Sequence, residues 1–188
     1  MRILLVVGLV LGSSVAYAER VTTVNIGGMF GGVENAVADE PATMTPAGGP
    51  RVTLGWEHAP LALPATKGVT ADVELVPELT AGAIMNDERG EVMVGVGARG
   101  ELRMAQRDGG LLKVNARFAV YLAARLLVIG DNKDTAFEGV VGEYLYLGKG
   151  RLRLGGEVGV IAREQTNTMF TYKGEMGVFA SAYFGWAM

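Results

Sequence analysis

The chain has no cysteine among its 188 residues, so no disulfide holds it together and no thiolate can ligate a metal. It has one histidine, His58, and beyond the first eighteen residues one serine, Ser181. A lone histidine cannot build a histidine-rich metal site, and at His58 it does not assemble a Ser-His-Asp arrangement with Ser181. No stretch of about eighteen apolar residues is present, which excludes a membrane-spanning helix. No segment after residue 18 has the 3.6-residue periodicity of an amphipathic helix. Basic residues are not in excess, at 17 against 20 acidic. With no basic run either, nucleic acid is excluded as a partner.

The N-terminus has the makings of an export signal. Met1-Arg2 is basic, Ile3 to Leu11 is apolar, and Ala16-Tyr17-Ala18 fits a small-x-small cleavage site. Residues 1–18 are therefore read as a cleaved signal peptide, and 19–188 as one domain of 170 residues.

The dominant pattern in that domain is a period of two. From Glu91 to Val128 the even positions read Val92, Val94, Val96, Ala98, Gly100, Leu102, Met104, then Leu112, Val114, Ala116, Phe118, Val120, Leu122, Ala124, Leu126, Val128. The odd positions carry Glu91, Arg99, Glu101, Arg103, Lys113, Asn115, Arg117 and Arg125. Asp108-Gly109-Gly110 supplies the bend of a long β-hairpin. The same alternation predicts strands over 21–31, 51–57, 69–79, 137–147, 151–163 and 169–188, which makes eight in all. The strand over 137–147 breaks parity, because Glu138 and Glu143 fall on opposite faces, and a bulge is expected there. The segment from Gly31 to Pro50 reads as a long surface loop. The bends at Asp108-Gly109-Gly110 and Gly148-Lys149-Gly150 read as tight turns. An even number of strands closed into a barrel leaves no edge.

Alternation alone fits a soluble lipocalin-like barrel as well as a membrane barrel. Charge separation favours the membrane, because the apolar face carries almost no charge while the polar face carries both signs, and lipid tolerates none. Aromatics also gather at strand ends: Trp56, Tyr144, Tyr146, Phe184 and Trp186 at one end, and Phe30, Phe137, Phe170 and Tyr172 at the other. Such girdles mark the two interfaces of a membrane barrel. The chain stops inside an alternating apolar strand, at Phe184-Gly185-Trp186-Ala187-Met188. On these residues Val21 to Met188 resembles the small eight-stranded outer-membrane proteins of the OmpA and OmpX type. The resemblance implies a closed antiparallel up-and-down transmembrane β-barrel, in the outer membrane of a Gram-negative bacterium. It implies a monomer, with the lipid bilayer, lipopolysaccharide and the barrel assembly machinery as partners.

Gly95-Val96-Gly97-Ala98-Arg99-Gly100 matches G-x-G-x-x-G, but the alternation runs through it to Met104 and no helix follows to face a pyrophosphate. No cofactor is expected. Asp131, Asn132 and Asp134, or Asn86, Asp87 and Glu88, have oxygen ligands for Ca²⁺ without the spacing of a binding loop, so both read as solvated loops. The expected interior is a paired charge network of Arg99, Glu101, Arg103, Arg117, Arg125, Arg153, Glu157, Glu74 and Glu175. Arg51, Lys113, Arg151, Arg163, Lys173, Glu57, Asp72, Glu78 and Glu91 share its face. In the hairpin, Glu101 opposite Arg117 avoids a like-charge pair and sets Tyr121 across from Gly97, with the bend at Gly109. The role expected is structural or surface contact without catalysis, with a narrow solute path or a soluble ligand-binding barrel as alternatives.

Overall fold

The computed structural model describes residues 21–35, 43–58, 60–64, 69–86, 90–106, 117–131, 133–147, 152–165 and 173–188. Residues 1–18, read from the sequence as a signal peptide, lie outside them. Among the described residues there are nine strands: β1 Val21–Asn35, β2 Thr43–Glu57, β3 Leu61–Ala62, β4 Val69–Met85, β5 Gly90–Gln106, β6 Arg117–Ile129, β7 Asp134–Leu147, β8 Leu152–Gln165 and β9 Lys173–Ala187. Eight of them pair antiparallel with their sequence neighbours, and β9 pairs with β1 to close an up-and-down barrel. The two-residue β3 adds to the edge of β4 at Val73 and Asp72, below the point where β2 ends.

One outward belt shows how the barrel closes. Val24 pairs with Leu54, then in turn Leu79, Val96, Leu126, Phe137, Ala162 and Met176, and Met176 returns to β1 at Glu34, ten residues beyond Val24. A rise of ~3.3 Å per residue, a strand spacing of ~4.8 Å and this offset give a tilt of roughly 40° and a backbone radius of roughly 8 Å. A barrel of that size has room inside for side chains and little else.

The period of two is kept on every stave. Val92 is 70% exposed, Leu122 66% and Phe30 72%, all on the outer face. Arg99, Glu101, Tyr121 and Arg125, at the intervening positions, are buried. Among the described strand side chains the outer face holds one ionisable group, Glu143. Apolar side chains outside and charges within are the arrangement lipid demands, because hydrocarbon solvates no charge.

Four expectations are corrected. The segment 31–50 is mostly strand, since β1 runs to Asn35 and β2 begins at Thr43. The connections at the end bearing the chain termini are not uniformly the short ones: eleven residues separate β2 from β4, ten separate β5 from β6 and four separate β7 from β8, against seven, four, four and seven at the other end. The bends at 108–110 and 148–150 themselves lie outside the described residues. No bulge interrupts β7, whose pairing with β6 and β8 is continuous. Its even positions point inward throughout, and Glu143 simply stands on the outer face.

The hairpin register also differs by four residues. Glu101 faces Tyr121, and Arg117 faces Ala105. A shift by an even number keeps every side chain on its face. What sets the observed register is the barrel interior: it puts Arg125 opposite Gly97, where a Cβ would lie 2.7 Å from the Arg125 side chain. Tyr121 lies over Gly142 on the other side, where a Cβ would come within 2.2 Å of the ring.

Candidate functional site

The interior is arranged in layers along the barrel axis. Toward the end with the termini, β2 supplies Arg51 and Glu57, β4 supplies Glu74 and Glu78, and β5 supplies Arg99, Glu101 and Arg103. Arg125, Glu138, Arg153 and Glu157 come from β6, β7 and β8. Spacings of two and four on a strand return to the same face, so each stave aims its charges into the lumen.

These groups form one connected network of five guanidinium and six carboxylate groups, with a formal charge of −1. Arg125 is its hub. It reaches Glu138 at 2.6 Å, Glu78 at 2.9 Å and Glu157 at 3.2 Å. Arg51 pairs with Glu138 and, at 3.1 Å, with Glu157. Arg99 pairs with Glu78 and Glu101. Arg103 pairs with Glu74, with Glu101 at 2.9 Å and with Glu57 at 3.2 Å. Arg153 meets Glu57 at 2.5 Å.

Two tyrosines complete the acceptors' shells. The Tyr121 hydroxyl donates to Glu157 at 2.9 Å, and the Tyr144 hydroxyl donates to Glu101 at 2.7 Å. Arg153 lies between the rings of Tyr144 and Tyr146, 4.8 and 4.9 Å from their centroids, and Arg51 lies 5.4 Å from the Phe179 ring. Buried charges persist only when paired and hydrogen-bonded, and guanidinium meets that need with five donors in one plane.

A different layer covers this network toward the other end. Met29, Met93, Leu127, Ile129, Ala136 and Ile161 point inward and are buried, with Met93 and Leu127 at 0% exposure. Above them Arg163 binds Glu91 at 2.6 Å and Asp134 at 2.5 Å. Within the charged layer a cavity of about 20 Å³ remains, bordered by Asn25, Thr53, Ser181 and Tyr183 among others. It has room for about one water molecule.

Of the expected network residues, Arg99, Glu101, Arg103, Arg125, Arg153, Glu157 and Glu74 meet in one cluster. Arg117 does not join them. It is exposed at the rim and stacks on Tyr146 at 4.7 Å. The side chain of Glu175 lies outside the described residues, as do Lys113 and Arg151. Glu138 and Asp134 were missed because Glu143 made the parity of β7 look broken. The apolar residues Phe137, Val141, Leu145 and Leu147 on its odd positions are the signal that identifies its outer face.

Trp56, Phe184 and Trp186 are on the outer face at the terminus end, and Phe30 and Phe137 at the other. Tyr144 and Tyr146 are corrected: they point inward, with hydroxyls 3.4 Å apart, because even positions of β7 face the lumen. Phe170 and Tyr172 lie outside the described residues. Asp134 is engaged by Arg163, and Asn132, Asp87 and Glu88 are outside the described residues. No cluster of three or more metal-ligating side chains occurs among the described residues. His58 sits just beyond β2, its backbone N–H donating to Glu74.

No family model matches the chain, and no curated protein matches it. Several solved structures are similar in fold. The outer membrane enzyme PagL is 10% identical, with a TM-score of 0.46 over 86% of this chain and 97% of that one. The outer membrane protease OmpT from Escherichia coli is 8% identical, with a TM-score of 0.33 over 94% of this chain and 100% of that one. An outer membrane channel from Pseudomonas putida F1 is 9% identical, with a TM-score of 0.28 over 94% and 98%. The activities in those descriptions are those proteins' own.

Proposed function

We propose that this chain is a sealed outer-membrane barrel with a structural role in the envelope and no catalytic one. The observation that carries the reading is the pair of stacked closures in the lumen. An Arg–Glu–Tyr network fills one part, and an apolar layer of Met29, Met93, Leu127, Ile129, Ala136 and Ile161 covers it. A solute path would have to displace both. The reading places the protein in the outer membrane of a Gram-negative bacterium as a monomer, after signal-peptide cleavage and insertion by the barrel assembly machinery. The bilayer and lipopolysaccharide are its surroundings. Surface contact through residues 31–50 is not favoured, because the strands take up all but 36–42.

Bilayer recordings on the refolded mature chain test the proposal. Flat baselines are expected. Stable, reproducible conductance steps would refute the seal and turn the reading to a narrow solute channel.

A further inference from the structure

The outer wall is not level at the terminus end. On β4 every odd position from Val69 to Met85 faces outward and is apolar. At ~3.3 Å per residue and a strand tilt of roughly 40°, that stripe is roughly 40 Å tall, against ~25 Å for the lipid-facing band of a membrane barrel. The excess lies at the terminus end, and β3 widens it. Gly55 pairs with Glu78, so an unbroken ladder would set Pro60 against Val73, but Leu61 stands there. One extra residue between them makes β2 and β3 a single stave with a bulge, where the His58 N–H donates to Glu74.

The bulge reverses parity. Without it Leu61 would face Asp72 and point into the lumen. With it Leu61 and Leu63 face outward opposite Val73 and Ala71, and they are 71% and 38% exposed. Measured along the barrel axis, Leu61 lies roughly 10 Å and Leu63 roughly 15 Å beyond Trp56. Among the described residues the outer side of this lip holds no ionisable group.

The opposite wall is shorter. β7 is four staves from the β2–β3 stave in either direction around the barrel. Its outer face carries Glu143 within roughly 2 Å of the height of Trp56, and it ends at Leu147, roughly 8 Å beyond that height. Apolar surface reaches too far on one side, and charge begins early on the other. A lean of roughly 20° levels Leu63 with Leu147 and carries Glu143 toward water.

We propose that β3 and the adjoining ends of β4 and β5 form a lip that lies in the headgroup layer of the terminus-side leaflet, so that the barrel stands tilted with its β3 side drawn into the membrane. The occupant is lipid because the lip continues the lipid-facing wall of β4 without a break. Pro60 and Pro64, with no N–H to give, blunt the short strand against pairing with another chain. The inference rests on the membrane-barrel reading.

Because the chain has no cysteine, a spin label can be attached at one introduced site: Leu61→Cys, Leu63→Cys or Leu147→Cys. The mature chain is refolded in vesicles of phosphatidylethanolamine and phosphatidylglycerol. Collisions with oxygen, which partitions into lipid, and with a nickel chelate, which stays in water, report depth. Several-fold less nickel contact is expected at 61 than at 147, and equal contact at 63 and 147. In an upright barrel 147 is the deepest of the three and 63 the shallowest, and that order overturns the lip. A label at 61 shielded from both reagents marks a protein seated on the lip, a second copy included, and also overturns it. Leu61→Asp combined with Leu63→Asp should right the barrel and lower nickel contact at 147; no change there overturns the lean. Heat-modifiable gel migration of each variant is the control for folding. Failure of the wild type to fold in lipid or detergent overturns the barrel reading itself.

Discussion

Removing Arg125 should destabilise the barrel far more than removing an exposed charge. Its guanidinium contacts three carboxylates, of Glu78, Glu138 and Glu157, and its side chain is almost completely buried. Arg125→Met keeps the bulk and the apolar stem but takes away the positive group, which shifts the network from a formal −1 to −2. Glu138 and Glu157 would then share Arg51, and Glu78 would keep Arg99 alone. Breaking a buried pair from one side costs ~3–5 kcal/mol. At ~2–4 °C per kcal/mol for a chain of this size, the unfolding midpoint should fall by roughly 6–20 °C. The assay is the temperature at which the compact gel species converts to the unfolded one, with urea titration in lipid vesicles as the equilibrium measure. Asp131→Asn, on an exposed loop, is the control and should move the midpoint by no more than a degree or two, about what ±0.5 kcal/mol gives. If Arg125→Met and Asp131→Asn behave alike, the idea that the interior is a packed ionic core is wrong.

Other outcomes follow from the same geometry. Gly142→Ala sets a Cβ into the Tyr121 ring and should cost ~1–3 kcal/mol in urea unfolding; combined with Tyr121→Leu the cost should be clearly less than the sum of the two changes. Val96→Arg, on the mid-barrel belt, should cost ~2–4 kcal/mol, whereas Leu147→Arg at the end of β7 should cost ~0–1 kcal/mol, measured by vesicle refolding equilibria. Arg117→Ala should leave the gel-shift temperature near that of wild type, because Arg117 lies exposed against Tyr146 outside the network.

The barrel was legible because its outer face obeys a single rule over long stretches. Val92 to Met104 and Phe118 to Val128 keep every second residue apolar, and no helix or soluble loop maintains that pattern so long. The charged interior was legible for the same reason. Register was not, because a shift of two or four residues leaves both faces unchanged, and what chooses among the shifts is close fit inside: Arg125 against Gly97, Tyr121 over Gly142. Strand ends were also hidden. Pro46 and Pro50 and the glycines between them suggest a loop, yet the residues lie in β2, whose pairing with β4 is limited to six positions between Gly48 and Gly55. The apolar layer within the lumen was missed because Leu127 and Ile129 follow Leu126 and Val128 in an unbroken run, where parity carries no contrast.

The rings that lie on glycine have a consequence for how this chain can change over time. Tyr121 covers Gly142, Tyr183 covers Gly155 and Phe179 covers Gly159, each too closely for a methyl group. Neither partner in such a stack is free to vary alone: a side chain at the glycine strikes the ring, and a smaller residue at the ring uncovers a bare stretch of backbone. Viable descendants must change both members together or neither. Sequences that diverge freely on the lipid face, where one aliphatic residue serves as well as another, should therefore retain these three pairs as linked units, and a deep library of random variants selected for folding should show the same covariation.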